Sequence, residues 1–186
     1  MFVTGLALCR CGGGGGSDGA IVGNPGFEDD TVGWNTEREP AATITRVPGG
    51  HTGSFAAQLV NNSAGPVECK LNDAPNWVDT SSSRTYVGSI WARADTPGAT
   101  LNLRFREYNQ AILVGLNTAS LTLNTAWQLV TVAYDPIAPG TSTLDFNAYV
   151  SDAPSGTCFY ADDASITLAE PTPVATATPT PTPIPS

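Results

Sequence analysis

The sequence predicts an all-β protein, a two-sheet antiparallel β-sandwich (jelly roll) of about ten strands. Three observations carry that expectation. No stretch of the 186 residues sustains a 3.6-residue apolar period. Short runs rich in β-branched and aromatic residues recur instead, separated by Pro48-Gly49-Gly50, Gly65-Pro66, Pro97-Gly98, Pro139-Gly140 and Pro154-Ser155-Gly156. About ten such runs over this length suit two packed sheets better than a small closed barrel.

Taken in order, residues 1–19 form a segment of their own. The apolar run Met1-Phe2-Val3 through Leu8 is too short to span a bilayer and lacks the basic start of an export signal. Leu6-Ala7-Leu8-Cys9 resembles the lipid-attachment box of bacterial lipoproteins, although a small residue usually stands where Leu8 does. The glycine run to Ser17 fits a flexible tether. On this reading Cys9 or Cys11 carries a lipid anchor. The alternative is a truncated or wrongly chosen start before a linker. Both are compatible with export, so an extracellular or cell-surface location is expected.

Residues 20–170 supply the sandwich. Strands are expected near 20–22, 42–47, 54–61, 67–72, 84–94, 100–108, 113–123, 127–134, 142–150 and 157–168. In 67–72, Val67, Cys69 and Leu71 should point inward, leaving Glu68, Lys70 and Asn72 outside. In 100–108, Leu101, Leu103 and Phe105 point inward, leaving Asn102, Arg104, Arg106 and Tyr108 outside. In 142–150 the inward set is Leu144, Phe146, Ala148 and Val150, with Asp145, Asn147 and Tyr149 opposite. Cys69 and Cys158 form an even pair in strand contexts, which suggests a disulfide in an exported chain. Two buried free thiols are the alternative. In the last strand Asp162 shares parity with Tyr160, Ala164, Ile166 and Leu168, so it should point inward. An ionised carboxylate among apolar groups is costly without a partner. The chain's single lysine, Lys70, is far off in sequence, so a bound metal ion is a candidate partner. Residues 171–186 are rich in Pro and Thr, which alternate at 171–173 and 179–183, and read as an extended linker or stalk.

The formal charge of −9 and a pI near 4.3 remove nucleic acid and anionic membranes as expected partners. A lone His51 makes neither a zinc site nor a Ser-His-Asp triad, and no Gly-x-Ser-x-Gly elbow accompanies it. Glu68, Asp145 and Glu107 could be imagined as the two carboxylates that glycoside hydrolysis needs, but any acidic sheet face holds such pairs.

Asn24-Pro25-Gly26-Phe27-Glu28 followed by Gly33-Trp34 resembles the opening of CenC-like carbohydrate-binding modules. Thr52-Gly53-Ser54, the run from Tyr86 to Arg93 with Trp91, Trp127, and Phe159-Tyr160-Ala161-Asp162-Asp163-Ala164 follow in that family's order. The resemblance implies a calcium-containing jelly roll. It assigns side-chain oxygens to Glu28 and Asp162 and backbone carbonyls to the vicinity of Gly26, Thr52 and Phe55, a mixed oxygen set of the kind Ca²⁺ takes. For Glu28 the plainer alternative is a solvated acid, and for Asp162 a cap on local N–H groups. Trp34, Trp91 and Trp127 fall where the resemblance implies packing.

A polysaccharide or oligosaccharide is the implied partner of a monomeric, non-catalytic module. Glu68, Lys70, Arg104, Arg106, Tyr108, Asp145, Asn147 and Tyr149 would share one sheet face, with Trp77 at its rim. Aromatic rings suit the apolar faces of sugars, while amides, carboxylates and guanidinium groups suit their hydroxyls. The plainer reading of that face is a solvated surface with ion pairs such as Glu68–Arg104. Two other readings of the whole chain remain: a surface lipoprotein, adhesion or spacer domain without a sugar site, and an ancillary domain of a glycoside hydrolase.

Overall fold

Alternation turns each of these runs into a strand with one buried face. The computed structural model describes residues 21–81 and 84–169. Eleven strands lie among them: β1 (Trp34–Asn35), β2 (Ala42–Pro48), β3 (Phe55–Asn61), β4 (Val67–Asp73), β5 (Val78–Asp79), β6 (Tyr86–Arg93), β7 (Thr100–Asn109), β8 (Ile112–Thr122), β9 (Gln128–Tyr134), β10 (Ser142–Ala153) and β11 (Gly156–Leu168). The strands pair antiparallel in two sheets. One runs β1-β4-β10-β7-β8, with β5 also on β10; the other runs β2-β3-β11-β6-β9. This is the expected all-β sandwich.

The core lies between the sheets. Leu71, Leu101, Leu103, Phe105, Leu144 and Phe146 meet Leu59, Ile90, Phe159 and Ile166, all fully buried. Burying each such side chain contributes about 1.5–3 kcal/mol. Cys69 of β4 and Cys158 of β11 are joined by a disulfide that ties the two sheets together, their Cα atoms 6.3 Å apart. At Gly88 of β6 a Cβ would come within 2.5 Å of the Phe146 ring and 2.8 Å of Phe105. Only a residue without a side chain lets the rings fill that layer.

Three local features depart from the sequence reading. Residues 21–22 form no strand, although Ile21 N–H donates to the Ile166 carbonyl at 2.9 Å. β1 and β5 are two-residue strands that no alternation could announce. Most consequential is an irregularity in β11 between Asp162 and Ser165, with Asp163 at φ 47°. An extra residue there reverses the alternation, as a β-bulge does. Phe159 and Ala161 are the inward residues before it, Ala164 and Ile166 after it. Tyr160 therefore faces outward. So does Asp162, which pairs with Trp91, itself between the inward Ile90 and Ala92. The expectation that Tyr160 and Asp162 point into the core is corrected accordingly. The lipid-box reading of Cys9 and Cys11 and the Pro/Thr linker lie outside the described residues.

Candidate functional site

β10 is flanked by β4 and β7, so its outward side chains meet neighbours on both sides. Cross-strand register aligns Asn35, Asn72, Asn147, Arg104 and Thr118 in one row across five strands of the six-stranded sheet. The next row holds Lys70, Tyr149, Asn102 and Ser120. Asn147 is fully buried and Asn72 is 4% exposed.

The hydrogen bonding of the first row is one-sided. The Asn147 amide donates to Asp145 Oδ1, and Asn72 Nδ2 donates to the Asp73 carbonyl at 2.7 Å. Those bonds fix both amides through their nitrogens. Asn35 Oδ1, Asn72 Oδ1, Asn147 Oδ1 and Arg104 Nε are buried polar atoms without a partner. Among the described residues no other side-chain atom has that status, and all four belong to this single row. Leaving such a group unsatisfied costs about 1–3 kcal/mol. Four aligned ones therefore read as a surface shaped for something else to complete.

Around the row, Arg104 lies over the Tyr149 ring at 4.5 Å and Arg106 over the Tyr108 ring at 5.6 Å. Arg106 grips Asp145 through Nη2–Oδ2 at 2.6 Å and Nε–Oδ1 at 3.3 Å. Lys70 Nζ reaches Glu37 at 2.7 Å and Glu68 at 3.1 Å. Its ammonium holds the Glu37 carboxyl below the usual carboxylate range. At one end of the row a cavity of about 260 Å³ opens between Asn35, Thr36, Glu37 and Glu39. Leu116, paired with Arg106 and 53% exposed, adds an apolar patch at the other.

The structure thus brings Glu68, Lys70, Arg104, Arg106, Tyr108, Asp145, Asn147 and Tyr149 to one face. It places Trp77 elsewhere. That ring packs edge-on to Trp34 at 4.6 Å and against Gly23 and Gly33, at whose positions a Cβ would lie 3.0 and 2.9 Å from it. The imagined Glu68–Arg104 pair does not form, because β10 separates their strands. Asn35 was not singled out in the sequence, since it sits on a two-residue strand; Asn72 had the right alternation but lacked a charge or ring to draw notice. Leu116 and Thr118 needed the pairing of β8 to be placed.

Two buried acids serve the scaffold. Glu107 lies on the core side of β7 and accepts from Tyr134 Oη (2.9 Å), Ile137 N (2.7 Å), Ala138 N (2.9 Å) and Ser142 Oγ (2.5 Å). Burial alone would raise its pKa, yet these donors outweigh it and hold the carboxyl below its ordinary value. Glu107 therefore shares no face with Glu68 or Asp145. Asp73 accepts from Phe146 N at 3.0 Å and Trp77 N at 3.2 Å. Burial, with the nearby Asp145 charge, raises its pKa to about 8 despite the two amides.

A second constellation lies on the outer side of the five-stranded sheet. The segment between β2 and β3 folds over β11, which is why outward-pointing Asp162 is nonetheless fully buried. Asp162 Oδ2 accepts from His51 N at 2.6 Å and Thr52 N at 3.2 Å, and Oδ1 from Asp163 N at 2.8 Å. Glu28 accepts from Ser54 N at 3.0 Å and Phe55 N at 3.1 Å. A Cβ at Gly50 would fall onto the Thr52 and Phe55 carbonyl oxygens and 2.9 Å from Asp162 Oδ2. Three oxygens therefore crowd one small volume. Gly26 borders it, since a Cβ there would lie 3.7 Å from Asp162 Oδ1 and 3.9 Å from Glu28 Cγ. Gly26, Glu28, Thr52, Phe55 and Asp162 thus meet at one corner of the fold. Burial and the adjacent Asp163 charge push Asp162 up to about 6, against three amide bonds that lower it. Two carboxylates and two carbonyls suit a hard divalent cation. His51 stacks on Trp91 at 3.7 Å and meets Asp163 at 2.6 Å, closing the corner from outside.

No protein-family model matches this chain, and no curated protein does. Solved structures do. A family 61 carbohydrate-binding module in complex with β-1,4-galactotriose aligns at TM-score 0.55 and 13% identity, over 81% of this chain and 99% of that one. The CBM22-2 xylan-binding domain of Xyn10C from Paenibacillus barcinonensis aligns at 0.57 and 20%, over 78% and 98%. These carbohydrate-binding modules share its fold. An arabinose-bound GH51 α-L-arabinofuranosidase also aligns, at TM-score 0.61 and 16% identity over 84% of this chain, but the chain spans only 27% of it. At these identities the likeness is one of fold. A hollow of about 400 Å³ between Ala94, Pro97, Val150, Ala153 and Cys158, at the sandwich rim, holds none of the four unpartnered atoms.

Proposed function

We propose that the domain is a non-catalytic carbohydrate-binding module that holds an exported protein or a cell surface against a polysaccharide, using the outer face of the six-stranded sheet. The alignment of all four unpartnered buried polar atoms along one row carries this reading. Sugar hydroxyls both donate and accept, so they can satisfy three amide oxygens and one guanidinium N–H at once. Tyr149, Tyr108 and Leu116 offer the apolar surface that a pyranose ring's C–H face needs. The modules with which the fold is shared include one bound to galactotriose and one described as xylan-binding.

Calorimetric titration with xylan, β-1,4-galactan, cellulose, β-glucan and mannan oligosaccharides tests the reading. Binding to at least one is expected, and Asn147→Ala should weaken it about fivefold, the worth of one hydrogen bond. Saturable binding to none of them would refute it.

The same reading includes a structural Ca²⁺ held by Glu28 and Asp162 with carbonyls of Gly26, Thr52 and Phe55. Bound there, the ion would neutralise two carboxylates and fasten the β2–β3 segment to β11. At a calcium concentration a hundred times its Kd the fold gains about 2.7 kcal/mol. That corresponds to roughly 5–10 °C in Tm for a domain of this size. A melting curve unchanged between strict chelation and added calcium would remove the ion from the account.

A further inference from the structure

Resting on the reading of this face as a glycan site, we infer that it selects polysaccharides carrying uronic-acid carboxylates, with Arg104 as the residue that reads the charge. The inference follows from how the cations of the face are spent. Lys70 is held by two acids, Glu37 and Glu68. Arg106 has both arms of its fork on Asp145. Arg104 has no carboxylate within ion-pair distance among the described residues, and its only ring or charge contact is the Tyr149 face at 4.5 Å. Its Nε is nevertheless buried and without an acceptor.

A guanidinium offers five donors in a planar fork and accepts nothing. A single sugar hydroxyl would take one of them, whereas a carboxylate takes two in parallel with charge assistance. The rest of the row has the opposite need. The oxygens of Asn35, Asn72 and Asn147 call for donors, which a carboxylate lacks and ring hydroxyls supply. A uronic residue over Arg104, flanked by neutral sugar over the asparagines, satisfies both ends of the row. The acid nearest in register is Asp145, and it is already neutralised by Arg106.

Salt dependence is a poor probe here. The chain's net charge of −9 repels any polyanion at long range, so added salt would relieve repulsion while weakening the local pair. Chemical removal of the charge is cleaner. The full chain is titrated with glucuronoxylan, with the same glucuronoxylan after reduction of its uronic acids to alcohols, and with oligogalacturonate. Wild type should bind the native glucuronoxylan about tenfold more tightly than its reduced form. In Arg104→Gln that ratio should fall to about one. Arg104→Lys, which keeps the charge but not the fork, should give an intermediate ratio, and serves if the glutamine variant melts abnormally. Equal affinity of wild type for native and reduced polymer overturns the inference while the glycan reading stands. A ratio preserved in both variants removes Arg104 from it. Failure to bind these polymers and the neutral panel overturns both.

Discussion

Replacing Glu107 by glutamine isolates the role of one buried charge, because the side chain keeps its size. The carboxylate accepts two donors at each oxygen: Ala138 N and Ser142 Oγ at Oε1, Tyr134 Oη and Ile137 N at Oε2. Glutamine has one oxygen, so one of these pairs must face an NH₂ group. In either orientation the hydroxyl of that pair can turn to accept, but the backbone N–H cannot. One buried N–H is therefore always orphaned and pressed against another donor. An unsatisfied buried donor costs about 1–3 kcal/mol, and the charge assistance lost from the remaining bonds adds to it. We expect a loss of about 2–4 kcal/mol, or roughly 5–15 °C in Tm. Urea unfolding at pH 7 measures it. The pH dependence supplies a second, independent reading. Because the folded pKa of Glu107 is depressed, its contribution is present above the unfolded value near 4.3 and is lost as pH falls through the folded one. The gap between wild type and variant should thus shrink as the solution is acidified below about pH 4.5. A variant within about 0.5 kcal/mol of wild type at pH 7 would refute the reasoning. Glycan affinity should be unaffected, since Glu107 lies on the core side of β7.

Two further outcomes concern the scaffold. Gly88→Ala places a methyl group against the Phe146 and Phe105 rings and should cost about 1–3 kcal/mol by overpacking, measured by thermal unfolding. Asp73 has a folded pKa raised to about 8, so its contribution is complete below the unfolded value near 3.9 and is lost as pH rises through 8. Wild type should therefore lose stability between pH 5 and pH 8 relative to Asp73→Asn, whatever the offset between them. Parallel pH profiles of the two proteins would contradict it.

What the sequence disclosed and what it withheld divide along one physical line. Alternation is a local property, and it placed the inward and outward residues of β4, β7 and β10 correctly, including Asn147 and Arg104. It failed where the backbone breaks period, at Asp163, because nothing in Asp-Asp-Ala announces a residue at φ 47°. The burial of Asp162 was legible, but its cause was not: a loop from a distant strand covers it, whereas parity suggested the core. Trp77 could not be placed from its loop position, since its packing depends on Gly23 and Gly33 leaving room. Ion pairing was equally hidden. Choosing Glu37 over Arg104 as the neighbour of the Lys70–Glu68 group required knowing that β10 lies between β4 and β7.

The two outer faces of the sandwich differ in how far their functional groups are already used. On the five-stranded sheet they are largely paired among themselves. His51 stacks on Trp91, Arg93 lies over Tyr160 at 3.8 Å and Arg46 over Phe55 at 3.2 Å, while Tyr160 Oη donates to Asp95. On the six-stranded sheet most charges are likewise neutralised, yet three amide oxygens and one guanidinium Nε in a single row have no partner, two of those amides being fixed through their nitrogens. Packing cannot explain that difference, because both faces are built on the same alternation over the same core. Stability would be better served by closing the row with paired or apolar side chains. A surface that keeps four costly atoms unspent in one line is most simply understood as incomplete without a ligand.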